Sequence, residues 1–225
     1  MLTLILMLAS AAAAAPPEVE KARDRQDRAA LERALAEFSA AAEKQPAGAQ
    51  AQYTAALAAS YLAEIALELR DKAGAQRAAE TGIRFAERAV ALEPNQAEYH
   101  RILGTLCGQV IPANVLAGLR YGKRAQEEVA RAIELDPKSS RAYLSRAVGN
   151  YYLPPPLGPG IEASIRDIRK AIELDPRNAE AYLWLGLALR KSQKNAEARQ
   201  AFAKALELNP GRVWAKQQLE KTPAR

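Results

Sequence analysis

Cys107 and His100 are the two side chains whose types and spacing suggest covalent chemistry. Seven residues apart, they would share one face of a helix, where an imidazole could activate the thiol. Each is the only residue of its kind in the chain. A lone cysteine excludes an internal disulfide and a cysteine-based zinc site. The expectation is therefore a small core side chain at 107 and a packed or rim side chain at 100. The carboxylates Glu127 and Glu128 sit in a helical charge pattern and are expected to be solvated. The glycines of "PLGPG" (residues 156–160) lack the lysine and the preceding strand of a phosphate loop. No catalytic residue, no cofactor and no metal site is expected, and so no enzyme.

With the chemistry set aside, the elements come forward. The chain is rich in alanine, and only 6% of its residues are aromatic. That bias suits closely packed helices better than sheets. The formal charge is +6, but Lys and Arg alternate with Glu and Asp at helix-face spacing. Such a pattern predicts a solvated face, and no nucleic acid is expected as partner. Weak attraction to an acidic protein or anionic surface stays open.

The chain begins "MLTLILMLASAAAAAPP". The uncharged run from Leu2 to Ala15 is shorter than the ~20 apolar residues that span a bilayer. An apolar core followed by small residues fits a cleaved signal peptide over residues 1–17, although no Lys or Arg precedes it. The expectation is an exported, periplasmic or extracellular protein whose mature chain has no transmembrane helix.

One helix ending recurs. "AIELDP" closes at Pro137 and at Pro176, "ALELNP" at Pro210 and "AVALEP" at Pro94. Pro176 and Pro210 stand 34 residues apart, Pro137 and Pro176 39, Pro94 and Pro137 43, and Pro46 and Pro94 48. Tyr182, Leu185, Gly186 and Leu189 form one helical stripe, and Ala198, Phe202 and Ala205 the next. Gly186 and Ala198 are small enough for two helix backbones to approach, with Phe202 filling the space beside them. Asn178 and Asn195 are placed as helix N-caps. Together with Pro210 these residues resemble the tetratricopeptide repeat, W-x2-L-G-x2-Y then A-x3-F then P, with Tyr182 for Trp and Leu189 for Tyr. The preceding units match in part, through Leu103, Gly104, Ala125, Val129 and Ala132, and through Tyr143, Ala147, Ile168 and Ala171.

The predicted fold is all-α, an α-solenoid of stacked antiparallel helix pairs with terminal capping helices. The boundaries are a signal peptide at 1–17, an N-terminal capping helix at 18–45, and four helix pairs over 46–210. The pairs are 46–94, which is divergent, then 95–137, 138–176 and 177–210. A C-terminal capping helix takes 211–225. Leu31, Leu35 and Phe38 supply the front cap's stripe, and Val213, Trp214 and Leu219 the back.

The resemblance implies a concave face, built from the first helix of each pair, that holds a peptide or protein partner. Its candidates are Glu98, Arg101 and Thr105; Arg141, Leu144, Val148 and Tyr151; and Glu180, Leu183, Leu187 and Arg190. Leu183 and Leu187 suit the core equally well. The extra residues of two pairs are placed in the turns "VIPANVLAG" and "LPPPLGPG". There Ile111, Val115, Leu116, Tyr152, Leu153 and Leu157 form either a partner-facing ridge or a cap on the helix ends. The functional expectation is a non-enzymatic adaptor, scaffold or assembly factor in a bacterial cell envelope. The alternative is an accessory or regulatory subunit of an envelope enzyme or transporter. Partner identity and oligomeric state are not legible.

Overall fold

The structure is a computed structural model that describes residues 16–112, 114, 116–153 and 160–224. Among these, eleven α-helices follow one another without a strand: α1 (Pro17–Asp24), α2 (Arg28–Lys44), α3 (Ala49–Glu68), α4 (Lys72–Leu92), α5 (Ala97–Val110), α6 (Ala117–Leu135), α7 (Ser140–Tyr152), α8 (Gly160–Leu174), α9 (Ala179–Lys191), α10 (Asn195–Leu208) and α11 (Val213–Glu220). The signal-peptide expectation falls almost wholly outside the described residues.

The recurring ending works through its Asp or Asn as much as through its Pro. Asp136 and Asn209 leave the helix at the C-caps of α6 and α10, with φ of −136° and −138°. The side chains of Asp136, Asp175 and Asn209 each accept from the backbone N–H two residues on, at 3.0–3.2 Å. This Asx turn satisfies the backbone just where the helix stops. Ser139 and Asn178 then cap the next helices by accepting from Ala142 and Ala181. Asn195 does not play that part. It is the first residue of α10, and Lys194 occupies the cap position without a side-chain cap bond.

Inside three of the pairs the turn is a different device. Asp27, Asp71 and Lys194 each donate a backbone N–H to a carbonyl five residues earlier, at 2.8–2.9 Å. The residue before each, Gln26, Arg70 and Gln193, takes a positive φ of 55–63°. These are Schellman-type endings, made here without glycine. The first of them splits the expected single N-terminal cap into α1 and α2. That segment is thus a short helix pair in its own right.

The extra residues of the first long pair, for which the sequence indicates no place, and those of the pair ending at Pro137, expected in its turn, fall mostly in helices. α3 and α4 have 20 and 21 residues against 13 and 14 in α9 and α10, so the first long pair lengthens its helices rather than its turn. α6 has 19 residues, and so most of the excess placed around "VIPANVLAG" extends a helix. The connection itself is only residues 111–116.

In the four long pairs each helix packs most extensively on its partner, α3 on α4, α5 on α6, α7 on α8 and α9 on α10, while α2 packs chiefly on α3. Successive first helices also touch, α1 with α3, α3 with α5, α5 with α7 and α7 with α9. They therefore line the inner side of the superhelix. α3 is the most enclosed, with Ala55, Ala56, Ala58, Ala59, Ala63 and Ala66 all buried between α1, α2, α4 and α5. Close approach is visible at glycines: a Cβ on Gly186 would lie 2.5 Å from the Phe202 ring, and one on Gly82 would lie 2.8 Å from Ala59. Phe202 itself is fully buried.

Phe202→Ala should therefore cost about 3–5 kcal/mol in urea unfolding, as expected for an aromatic removed from a filled core. Gly186→Leu should be comparably damaging because the helix pair must separate. Unfolding midpoints at the wild-type value in both variants would contradict this packing.

Candidate functional site

The predicted groove residues are largely committed to one another. Arg101 is buried and grips Glu98 with two nitrogens, at 2.7 and 2.6 Å. Tyr53 donates its hydroxyl to the same carboxylate at 2.9 Å, and Arg141 approaches to 3.7 Å. Burial alone would raise the Glu98 carboxyl. The charge and hydrogen bonds of Arg101, with Arg141 and the Tyr53 hydroxyl, outweigh it and hold Glu98 below its ordinary value. Thr105 exchanges a hydrogen bond with Ser145 at 3.0 Å. Arg190 donates to Gln218 at 2.6 Å and to Thr222 at 3.2 Å, and so ties α9 to the C-terminal helix.

Leu183 and Leu187 are core: they retain 0% and 4% of their surface, so a partner cannot reach them. Their neighbours are Phe202, Ala198 and Ala215, an apolar cluster that closes over them. Leu144 and Val148 are half-buried, and Arg141 is exposed. Of the proposed ridge, Leu116 is exposed, and Ile111 and Leu153 are half-buried. Val115 and Leu157 lie outside the described residues.

Four rings do come together. Tyr151 and Tyr152 close α7, Trp184 belongs to α9 and Trp214 to α11. Tyr151 meets Tyr152 at 5.0 Å between centroids and Trp184 at 5.5 Å; Tyr152 meets Trp184 at 6.1 Å and Trp184 meets Trp214 at 5.7 Å. All four contacts are edge-to-face, the arrangement that aligns ring edges with ring faces. Tyr152 remains half-exposed, and the other three are partly buried. Lys191 lies 4.4 Å over the Tyr151 ring and donates to its backbone carbonyl. The strip thus crosses three successive first helices of the solenoid.

Beside Trp214 lies a charge cluster that joins the two ends of the chain. Arg212 is 1% exposed although it precedes only a short helix. It donates to Glu64 at 2.6 Å, to both carboxylate oxygens of Glu68, and to Glu180 at 2.8 Å. Asp24 stands 4.0 Å away. Arg23 of α1 reaches Glu180 at 3.7 Å and lies over the Tyr61 ring. Asn209 donates to Asp24 at 2.8 Å, and Gln217 to Gln26 at 3.2 Å. The first and last turns of the superhelix therefore meet through side chains across its inner face.

His100 and Cys107 do not form a reactive pair. Nδ1 of His100 lies 2.6 Å from Glu128, and Nε2 lies 2.8 Å from the carbonyl of Pro94. Both partners accept, so the ring suits the doubly protonated form, and chiefly the Glu128 bond raises its pKa. Glu128 is consequently not a solvated carboxylate: it also stands 3.8 Å from Arg124. Burial pushes the Cys107 thiol up to about 12, far from thiolate chemistry at neutral pH. Among the described residues no group of His, Cys, Asp and Glu has the arrangement to hold a metal ion. No helix among them is long and apolar enough to cross a membrane.

A family model described as regulator of microtubule dynamics protein 1-3 matches residues 18–153, α1 through α7. The chain belongs to that family. A second model, described as tetratricopeptide repeat, matches residues 160–213 of this family member, and the chain is a tetratricopeptide-repeat protein. Among solved structures, TTC0263, a thermophilic protein of the same repeat class from Thermus thermophilus, is 18% identical. The match covers 89% of this chain and 99% of that one, with a TM-score of 0.63. The likeness is one of fold. YrrB, a repeat protein described as having an unusual peptide-binding site, is 19% identical over 92% of each chain, with a TM-score of 0.46. Pseudomonas aeruginosa pilF is 20% identical over 76% of this chain and 70% of its own, with a TM-score of 0.47. No curated protein matches. The fold is that of a protein–protein interaction module, and its relatives are typically non-catalytic.

The sequence points to Tyr151 and Tyr152 but not to Trp184 as their ring partner. A signal for it exists, since Trp184 falls next to Leu183 and four residues after Glu180 on the inward side of α9. The cluster around Arg212 has no local signal at all.

Removing Arg101 should leave the buried Glu98 carboxylate without its main partner. Arg101→Met is expected to destabilise the fold by about 3–5 kcal/mol at pH 7, and much less in a Glu98→Gln background. In the wild type the stabilisation held by the depressed Glu98 carboxyl is present above its unfolded pKa. It is lost as pH falls through the lower folded value. Denaturant unfolding of the four proteins from pH 7 to 3 checks both statements; additive effects of the two substitutions would contradict them.

Proposed function

We propose that the protein is an exported, non-enzymatic interaction module of a bacterial cell envelope, an adaptor or assembly factor. In this reading it captures a peptide or protein partner on the strip of Tyr151, Tyr152, Trp184 and Trp214. The observation that carries it is the strip itself: four aromatic rings placed edge to face on consecutive inner helices, with Tyr152 half-exposed. Aromatic anchors of this kind, held rigid by their neighbours, dominate binding energy at interfaces. Leu144 and Val148, half-buried on the same helix as the tyrosines, extend the apolar surface. The groove residues nearer the N-terminus are engaged in internal pairs, which favours the C-terminal half as the capture surface.

Tyr152→Ala should weaken partner capture by about 2 kcal/mol, roughly thirtyfold, with the fold intact because the side chain is half-exposed. The measurement is pulldown from envelope extract, followed by titration of the recovered partner against wild type and variant. Equal affinity for both would remove the strip from consideration. A partner recovered only with a transporter or an envelope enzyme would make the protein its accessory subunit.

The export half of the reading rests on the leader sequence and has its own test. Intact mass of protein from its native host should show a chain beginning between about Ala12 and Glu18. A soluble cytoplasmic protein that retains Leu2 to Ala15 would overturn it. The family description supplies a second partner to try, because it names microtubule dynamics. Co-sedimentation with microtubules, saturable and lost in Tyr152→Ala, would move the site's partner from the envelope to tubulin.

A further inference from the structure

The cluster around Arg212 has an imbalance that the fold does not require. Two guanidinium groups, Arg23 and Arg212, face four carboxylates, Asp24, Glu64, Glu68 and Glu180. The carboxylates come from α1, α3 and α9, and Arg212 comes from the turn before α11. The links between the first and last turns of the superhelix pass through or beside this cluster: Asn209 to Asp24, Gln217 to Gln26 and Arg23 to Glu180. Among the described residues no comparable helix packing joins these ends, since the extensive helix contacts run between neighbours in the stack.

We propose that the cluster is a latch: Arg212 holds the superhelix closed across its inner face, and loss of protons from the surplus carboxylates releases it. The groups that bear on the titration come from every side. α1 contributes Glu20, Arg23 and Asp24; α3 contributes Tyr61, Glu64 and Glu68; α7 contributes Arg141 and Tyr152; α9 contributes Glu180; the last turn contributes Arg212. With all four carboxylates ionised the cluster carries two uncompensated negative charges on largely buried side chains, of which Glu64 keeps 23% of its surface exposed and Glu68 2%. Burial is the first reason that Glu64 is pushed up to about 7, with Glu180 and Glu68 adding to it against the pull of Arg212 and Arg23. Burial also raises Glu68. For Glu180 the two arginines outweigh burial and hold it below its ordinary value, so it is the permanent anion of the set.

A carboxyl whose pKa is raised in the closed form binds its proton more tightly there than in the open form. Closure is then favoured in mild acid and weakens as pH rises to about 7. The partner-binding strip adjoins the latch, because Arg212 lies 5.6 Å over the Trp214 ring. The latch nevertheless stands on its own geometry and does not need the strip to bind anything.

The experiment measures the distance between the ends in the full chain. The positions for spin labels, Lys21→Cys on α1 and Lys216→Cys on α11, are both exposed, while native Cys107 is buried and stays unlabelled. Double electron–electron resonance should give chiefly the short distance in mild acid and a longer population that grows as pH rises to about 7 and changes little above it. Glu64→Gln, which removes one surplus charge and keeps the shape, should hold the short distance at pH 8.5. Arg212→Ala should show the long distance at both ends of the range, with circular dichroism confirming that its helices persist. If Arg212→Ala unfolds, the Glu64→Gln profile decides. A wild-type distance constant from pH 5.5 to 8.5, or a Glu64→Gln profile that follows the wild type, overturns the latch.

Discussion

Close approach between helix backbones is the constraint on which the whole structure depends. A pair such as α9 and α10 buries its stripes only because Gly186 leaves room for the Phe202 ring. The same logic runs through α3, where alanines alternate with larger buried side chains such as Tyr53, Leu57 and Ile65. Small residues bring the axes together, and one large residue per contact then fills what remains. Each pair still leaves an apolar face uncovered, and the next pair covers it. Stacking is therefore a consequence of local packing, and the ends are where it must be stopped.

In this chain the first and last described helices come within side-chain reach of one another. Burying Arg212 among carboxylates is not an obvious source of stability, because desolvation of the ions offsets much of their attraction. What such a cluster supplies is specificity of arrangement. Only one curvature of the solenoid places Glu64, Glu68 and Glu180 around a single guanidinium. The planar fork of arginine makes the requirement stricter than a lysine would. Solenoids are compliant because each unit contacts only its neighbours, and one long-range contact between the ends removes most of that compliance.

How much of this is legible in the sequence depends on the distance along the chain between cause and effect. The helix endings at Pro137, Pro176 and Pro210, the Gly186–Phe202 contact and the N-cap at Asn178 all involve residues within about one repeat. Spacing and residue types carry them. The break between α1 and α2 is hidden because "RDRQDRAALE" contains neither Gly nor Pro, and Gln26 takes its positive φ from a Schellman hydrogen bond that composition does not announce. The lengthening of α6 looks like a loop insertion because a period measured between prolines counts residues without saying where they fall. The residues "LRYGKR" suit a helix N-terminus as well as a connection. Arg212 is out of reach altogether: its acidic partners on α3 lie 144 and 148 residues away, and a single sequence has nothing that couples them.

The same long-range closure changes what a concave face means here. In an open solenoid the first helices offer their inward side chains to a guest. In this chain Arg101, Glu98 and Tyr53 satisfy one another, and Arg212 reaches across to α3 and α9. A guest that competed for those groups would have to replace several charge-assisted hydrogen bonds at once. The aromatic strip asks for no such exchange. Its rings already lie edge to face, Tyr152 projects to solvent, and an apolar side chain can settle on it without breaking a charged pair. Trp214 belongs to that strip and to the wall of the Arg212 cluster, so a change in one is felt at the other through a single side chain. The proposed recognition strip and the proposed latch thereby share a side chain, on the segment where α11 begins.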